Sequence, residues 1–341
     1  MKEKYILEVN DLSVSYHTYA GEVQCVRNIS FNIEKGECLA IVGESGCGKS
    51  VTVKSLLGLI RPPEGEIKTG SSIRVEGEEV TGFSEKEWNE IRGDKIAMIF
   101  QDALAALNPT MKIGKQIEEV ILNHRKIKKR EAREMAIKLL EKVGVPEARK
   151  RSRQYPHEFS GGMRQRTMIA MMMANDPDIL IADEPTTALD VTLQGQILEL
   201  MRTFQQEKQM SLILVTHDLG VVAQMAQSVL VMYAGNIVEK GDVREIFYQT
   251  KHPYTIALLE SQPSLMNDKS QGMHVIEGTP PDLLNPPSGC AFCDRCRFAM
   301  NLCKEKKPQF VECGNGHAVA CWLYDEKIRA CLGKKEGGRK E

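Results

Sequence analysis

Residues 6 to 42 run through three short β-branched segments, ILEVNDLSVSY, QCVRNISFNI and ECLAIVG, with Gly and Asn between them. This pattern predicts strands that feed into a glycine loop. From Lys49 to Leu59 the loop gives way to a helical register that stops at Arg61-Pro62-Pro63, because the residue before a proline is pushed out of the helical region. Residues 115 to 143 carry many charges with spaced Ile, Leu and Met, the pattern of amphipathic helices inserted into a core, where they contact a partner or close a cleft. The apolar runs IAMIF at 96 to 100, ILIA at 179 to 182 and SLILVTH at 211 to 217 predict buried strands of a mixed or parallel sheet. After about Gly241 the alternation weakens, and Pro253, Pro263, Pro280, Pro281, Pro286 and Pro287 break up an irregular, cysteine-bearing tail. The expected division is a main domain over 1–245 and an extension over 246–341, whose last residues, KKEGGRKE, read as a frayed terminus.

Composition narrows the class. At 341 residues, 42% hydrophobic and 27% charged, the chain suits a soluble globular protein with a large core and an add-on. Its 45 Lys and Arg nearly cancel 46 Asp and Glu, which argues against non-specific attraction to nucleic acid or anionic lipid, so a partner must be found by shape. No apolar run approaches the roughly 20 residues that span a bilayer, and MKEKYILEVNDLSVSY lacks the apolar core of a signal peptide, so a cytoplasmic location is expected. Seven of the ten cysteines lie between Cys290 and Cys331, and without an export signal they read as a metal site rather than a disulfide framework.

Gly43-Glu-Ser-Gly-Cys-Gly-Lys49-Ser50 fits the phosphate-binding pattern G-x-x-x-x-G-K-[ST], with strand ECLAIV before it and a helix after. The expected ATP cradle is Gly43, Ser45, Gly46, Cys47, Gly48, Lys49, Ser50 and Val51. Its glycines let successive N–H groups face the phosphates, Lys49 neutralises the β and γ groups, and Ser50 ligates Mg²⁺. The Cys47 thiol fits either small-residue filling of the loop or a redox sensor. Downstream, the run ILIA delivers the adjacent carboxylates Asp183 and Glu184, whose side chains point apart on a strand. Asp183 is thereby free to hold Mg²⁺ through its shell, and Glu184 to orient or deprotonate the attacking water.

Ser160-Gly161-Gly162-Met-Arg-Gln165, followed by Asp183-Glu184-Pro-Thr-Thr-Ala-Leu-Asp190, resembles the signature and D-loop of ABC ATPases over roughly residues 5 to 245. The resemblance implies an α/β fold, with a RecA-like P-loop core, an antiparallel β-subdomain and a helical signature subdomain. It also implies that Gln101 is the Q-loop glutamine sensing Mg²⁺ and water, His217 the switch histidine at the γ-phosphate, and Tyr16, with Tyr19 nearby, the aromatic that stacks on adenine. Phe159 stands where many members have Leu. In that family Ser160, Gly161 and Gly162 bind the γ-phosphate held by the opposite subunit, so the chain is expected to close head to tail on a second ABC ATPase subunit, identical or related.

In the tail, Cys290-x-x-Cys293-x-x-Cys296 suits zinc or an iron–sulfur cluster by spacing. The segment GCAFCDRCRFAMNLC, with HPYT at 252 to 255 before it and HAVAC at 317 to 321 after it, resembles the C-terminal extension of dipeptide and oligopeptide importer ATPases. That resemblance implies a 4Fe-4S cluster on Cys290, Cys296, Cys303 and Cys321, with Cys293 and Cys313 as extras and zinc as the alternative metal. A structural clasp is the favoured role. The implied function is the ATP-hydrolysing subunit of an importer of di- or oligopeptides, peripheral at the cytoplasmic face of the membrane; the same role for nickel or another small solute is the alternative. Its implied partners are two transmembrane permease subunits and, indirectly, an extracellular peptide-binding protein. One P-loop, no long heptads and no basic surplus weigh against an ABC ATPase that acts on nucleic acid.

Overall fold

The computed structural model describes residues 4–187, 189–261 and 276–329, so Pro263, Cys331 and the KKEGGRKE terminus lie outside the described residues. Two sheets organise the chain. A five-stranded antiparallel sheet joins Tyr5–Thr18, Gly21–Glu34, Gly65–Ile67, Ser72–Val75 and Glu78–Glu79. An eight-stranded sheet runs in the order Val311–Glu312, Ala318–Val319, Asn236–Asp242, Ser228–Tyr233, Cys38–Val42, Ser211–Val215, Ile179–Asp183 and Ile96–Ile99, and its last five strands are parallel.

The three apolar runs form strands where the sequence predicts them, and their continuous hydrophobicity has a direct cause. Leu39 and Ile41 point into the core shared with the antiparallel sheet, whereas Cys38, Ala40 and Val42 point into a second core under the helices. The same alternation holds for Ile179 and Ile181 against Leu180 and Ala182, and for Ile213 and Val215 against Leu212 and Leu214. A sheet covered on both faces needs apolar residues at every position, each buried Val, Leu or Ile stabilising by about 1.5–3 kcal/mol. The predicted insert forms the helices Ile113–His124 and Lys129–Lys142, which bury Ile117, Ile121, Ala136 and Leu140 against the signature helix Gly161–Met172.

Two expectations shift. The helix after the glycine loop ends at Ser55 rather than Leu59, because Gly58 takes a left-handed φ of 59° and the indole of Trp88 occupies the space where a side chain would stand. The tail is more ordered than its weak periodicity suggests. Pro253 opens the helix Pro253–Glu260, whose first turn is capped by His252 Nδ1 accepting from the Tyr254 N–H at 3.0 Å. The two-residue strands Val311–Glu312 and Ala318–Val319 then add a hairpin to the eight-stranded sheet through Glu239 and Lys240. Strands this short leave no alternation to read.

A buried polar knot fixes that hairpin. Glu239, fully buried, accepts from the N–H of Lys251 at 2.7 Å and of His252 at 3.1 Å, and lies 2.8 Å from Nε2 of the equally buried His317. Removing one member leaves the carboxylate short of a partner where water cannot replace it. His317→Ala should therefore lower unfolding stability by about 3 kcal/mol, and His317→Gln, which keeps a donor, by less than half of that, as read from urea midpoints.

The loop between Cys38–Val42 and Lys49–Ser55 requires its glycines for different reasons. At Gly43 (φ 153°) an added Cβ would meet the Met232 carbonyl and come within 2.8 Å of Cys47 Sγ, whereas at Gly46 (φ 77°) it would meet nothing within 4 Å. Gly43→Ala should cost about 3 kcal/mol through overlap plus backbone strain, and Gly46→Ala about 1 kcal/mol through strain alone, with thermal unfolding as the measure.

Candidate nucleotide site

Register across the parallel strands brings the chemistry together. Ile41 pairs with Val215, Val215 with Asp183, and Ala182 with Ile99, so four strands end level. The residues just past those ends, the glycine loop, His217, Glu184 and Gln101, converge on a cleft of about 650 Å³. Ser45, Gly46, Gly48, Lys49, Ser50 and Val51 line it with Gln101, Glu184, His217 and Cys25. A cleft of similar volume, about 660 Å³, lies at the opposite edge, around Glu37, Leu39, Gln227 and Ser228. Ligands of such sheets bind at the carboxyl ends of the strands, and only the first cleft has the glycine loop and paired carboxylates.

Lys49 is 6% exposed, and its Nζ donates to the carbonyls of Gly43 at 2.8 Å and Glu44 at 3.0 Å. Its charge is thus held inside the curve of the loop. Ser50 Oγ donates to Asp183 Oδ1 at 3.1 Å, joining the loop's helix to the strand two places away in the sheet. Burial raises the Asp183 pKa, opposed by the Ser50 hydrogen bond. These two oxygens form a hard, oxygen-only pair of the kind Mg²⁺ takes.

Glu184 sits just past its strand with a left-handed φ of 49°, a strained setting for a residue with a side chain, and its N–H donates to the Val215 carbonyl at 2.9 Å. Its Oε2 accepts from Gln101 Nε2 at 3.0 Å and from Thr187 Oγ1 at 2.9 Å, and its Oε1 lies 3.5 Å from His217 Nδ1. The carboxylate is therefore aimed into the cleft by three side chains. Gln101 and His217 come from the two strands that flank the Asp183 strand.

Other predicted residues stand outside the cleft lining. Cys47 is buried within the loop, where burial raises its thiol pKa and Sγ lies 3.9 Å from Lys49 Nζ. Tyr16 is half-buried beside Cys25, which does line the cleft, and packs over Gly65; Tyr19 is fully exposed. Ser160 caps the signature helix by accepting from the Met163 N–H at 3.4 Å, and Phe159 before it is buried. Gly162 lies so close to Leu193 of the helix Val191–Lys208 that a Cβ would overlap it, and Gln165 Nε2 donates to the Pro185 carbonyl at 2.6 Å. The signature is thus tied to the segment that carries Glu184. Asp190 caps the next helix through the Leu193 N–H at 2.9 Å.

Sequence reasoning missed Cys25 and Thr187. Cys25 carries no motif. Thr187 follows Glu184 at a spacing that lets a turn bring its hydroxyl back to the carboxylate, a signal present in the sequence.

In the tail, Cys290, Cys293, Cys296, Cys303 and Cys321 line one small enclosed cavity with His252, Phe292 and Trp322, while Cys313 stands apart, its N–H donating to the His317 carbonyl. Burial pushes the Cys290 thiol up to about 12 and the Cys321 thiol up to about 11, and raises those of Cys293 and Cys296. Among the described residues, no three His, Cys, Asp or Glu side chains converge on one point closely enough to hold a single metal ion.

Known proteins place this architecture. The ABC transporter family matches residues 26–187, and the oligopeptide/dipeptide transporter C-terminal region matches residues 238–303. The chain is 54% identical over 318 residues to the oligopeptide transport ATP-binding protein OppD of Bacillus subtilis, covering 93% of this chain and 88% of that one. It is 51% identical over 329 residues to the dipeptide transport ATP-binding protein DppD of Lactococcus lactis, covering 96% and 93%. Among solved structures, the dimeric ATP-binding cassette MJ0796 in a post-hydrolysis state bound to ADP and Pi is similar with a TM-score of 0.63 and 26% identity, covering 70% of this chain and 99% of that one. The chain belongs to the ABC transporter ATPases, within the family of oligopeptide and dipeptide transport ATP-binding proteins.

Proposed function

We propose that the chain drives import of di- or oligopeptides by hydrolysing ATP, with Glu184 as the base that activates the attacking water. The observation that carries this reading is the Glu184 carboxylate, aimed into the glycine-loop cleft by Gln101, Thr187 and His217. A base needs hydrogen-bond reach to its water and a fixed orientation. Lys49 and the loop N–H groups of Ser45, Gly46, Gly48, Ser50 and Val51 receive the phosphates. Ser50 and Asp183, with Gln101 in the same cleft, would hold Mg²⁺, which would supply neutralisation of phosphate charge. His217 keeps Glu184 in place and reaches the γ-phosphate, and Tyr16, beside Cys25, supplies a ring for adenine.

Ser160, Gly161 and Gly162 do not line the chain's own cleft, which supports their use by a second ATPase subunit, identical or related. The solved relative MJ0796 is itself dimeric. Two permeases take up the closing motion, an extracellular peptide-binding protein supplies the cargo, and the chain works at the cytoplasmic face without entering the bilayer. Among the described residues no helix is long and apolar enough to cross a membrane. The cassette spans 1–245 and the extension 246–341.

Cys290, Cys293, Cys296, Cys303 and Cys321 line one small cavity, and the spacing Cys290-x-x-Cys293-x-x-Cys296 suits thiolate ligation of a cluster. Cys290, Cys296, Cys303 and Cys321 are the proposed ligands of a 4Fe-4S cluster, which when bound clasps the extension together.

Glu184→Gln should keep Mg-ATP affinity within a few-fold while hydrolysis falls by about 10²–10³-fold, measured by phosphate release; undiminished release would remove Glu184 from the role of base. Full-length protein purified without oxygen should carry about four iron atoms per chain and lose them on Cys303→Ser; zinc with no iron would overturn the cluster assignment.

A further inference from the structure

Glu44, the first residue after Gly43 in the glycine loop, is held by all of its polar groups. Its N–H donates to Tyr254 Oη at 2.8 Å, its carbonyl accepts from Lys49 Nζ at 3.0 Å, and its carboxylate receives Nη1 and Nη2 of Arg295 at 2.7 and 3.0 Å. Two of these three partners come from the C-terminal part of the chain, 210 and 251 residues away. Neither belongs to the stretch that matches the ABC transporter family.

The Arg295 side chain is 6% exposed and uses every donor it has. Besides the two bonds to Glu44, Nη1 donates to Tyr233 Oη at 3.1 Å, Nη2 to the Ile276 carbonyl at 3.1 Å and Nε to the Glu277 carbonyl at 2.9 Å. It stands in the turn Cys293–Arg295, preceded by Phe292, whose ring packs against Tyr233 and Tyr254 at centroid distances of 5.2 and 5.4 Å. The turn is therefore seated on the cassette by an aromatic cluster, and the guanidinium projects from it to the back of the phosphate loop.

We propose that Arg295 is a positioning residue for ATP: by gripping the Glu44 carboxylate from outside the cleft, it fixes the loop peptide whose carbonyl holds Lys49 and whose neighbours present their N–H groups to the phosphates. Arginine suits the task because its planar fork meets a carboxylate in two parallel bonds, which fixes direction as well as distance; an ammonium supplies charge alone. The role rests on the nucleotide reading above and adds to it a residue of the extension, none of whose described residues lines the cleft.

The test measures Mg-ATP dissociation constants and steady-state hydrolysis on the full-length chain. Arg295→Ala should weaken Mg-ATP binding by about tenfold, with kcat at saturating ATP within about twofold. Arg295→Lys should recover part of the loss. Glu44→Gln, made on the loop side without touching the extension, should weaken binding in the same direction, and the double variant Glu44→Gln/Arg295→Ala should bind no worse than Arg295→Ala, because both remove one interaction. Unchanged affinity in Glu44→Gln, losses that multiply in the double variant, or a fall in kcat without a change in KM would overturn the role. If Arg295→Ala fails to fold, the Glu44→Gln and Arg295→Lys affinities decide alone. A wild-type chain that binds no Mg-ATP would overturn the nucleotide reading itself, an outcome visible before any variant is made.

Discussion

The level ending of parallel strands is the constraint on which the site depends. Backbone hydrogen bonds fix Ile41, Val215 and Asp183 side by side, and Ile99 beside Ala182, so the residues that follow must emerge at one edge. A slip of one residue in any strand would turn its apolar side chains to the wrong core and carry the cleft residue that follows it away from the others. Leu39 with Ile41, Ile179 with Ile181, and Ile213 with Val215 oppose such a slip on one face, and their alternate neighbours oppose it on the other. The packing that stabilises the sheet and the geometry that serves ATP are thus set by the same register.

Much of this was legible in the sequence because it is local. The apolar runs give the strands, the glycine spacing gives the loop, and carboxylates at a strand end are read directly. Thr187 was within reach of the same reasoning. The helix after the loop is shorter than its register predicts because the backbone turns at Gly58, a position set by the docking of Trp88, which no local pattern announces. Cys25 was invisible because nothing about a half-exposed cysteine in a β-branched segment distinguishes a cleft wall from any other strand position.

The extension was read for its thiols and not for its contacts, and the reason is sequence distance. Glu44 and Arg295 are 251 residues apart, and Glu239 and His317 are 78 apart. A glutamate in a loop and an arginine among cysteines are ordinary surface residues until the fold buries the guanidinium between them. The HPYT segment shows the same thing on a smaller scale: His252 caps a helix, Tyr254 meets the phosphate loop, and neither role follows from the neighbouring letters. One short turn, Cys293–Arg295, thus lines the cysteine cavity with its first residue and grips the glycine loop with its last.

The hairpin added by the extension also changes the edge of the eight-stranded sheet. Asn236–Asp242 would otherwise close the eight-stranded sheet with a seven-residue edge, whose unpaired N–H and C=O groups offer a template for a strand from any other chain. Ala318–Val319 occupies the middle of that edge, and the outermost strand becomes Val311–Glu312, two residues long and carrying an exposed carboxylate. A strand so short and charged gives a passing chain little to zip onto. The extension thereby leaves the sheet little free edge on which another chain could add a strand.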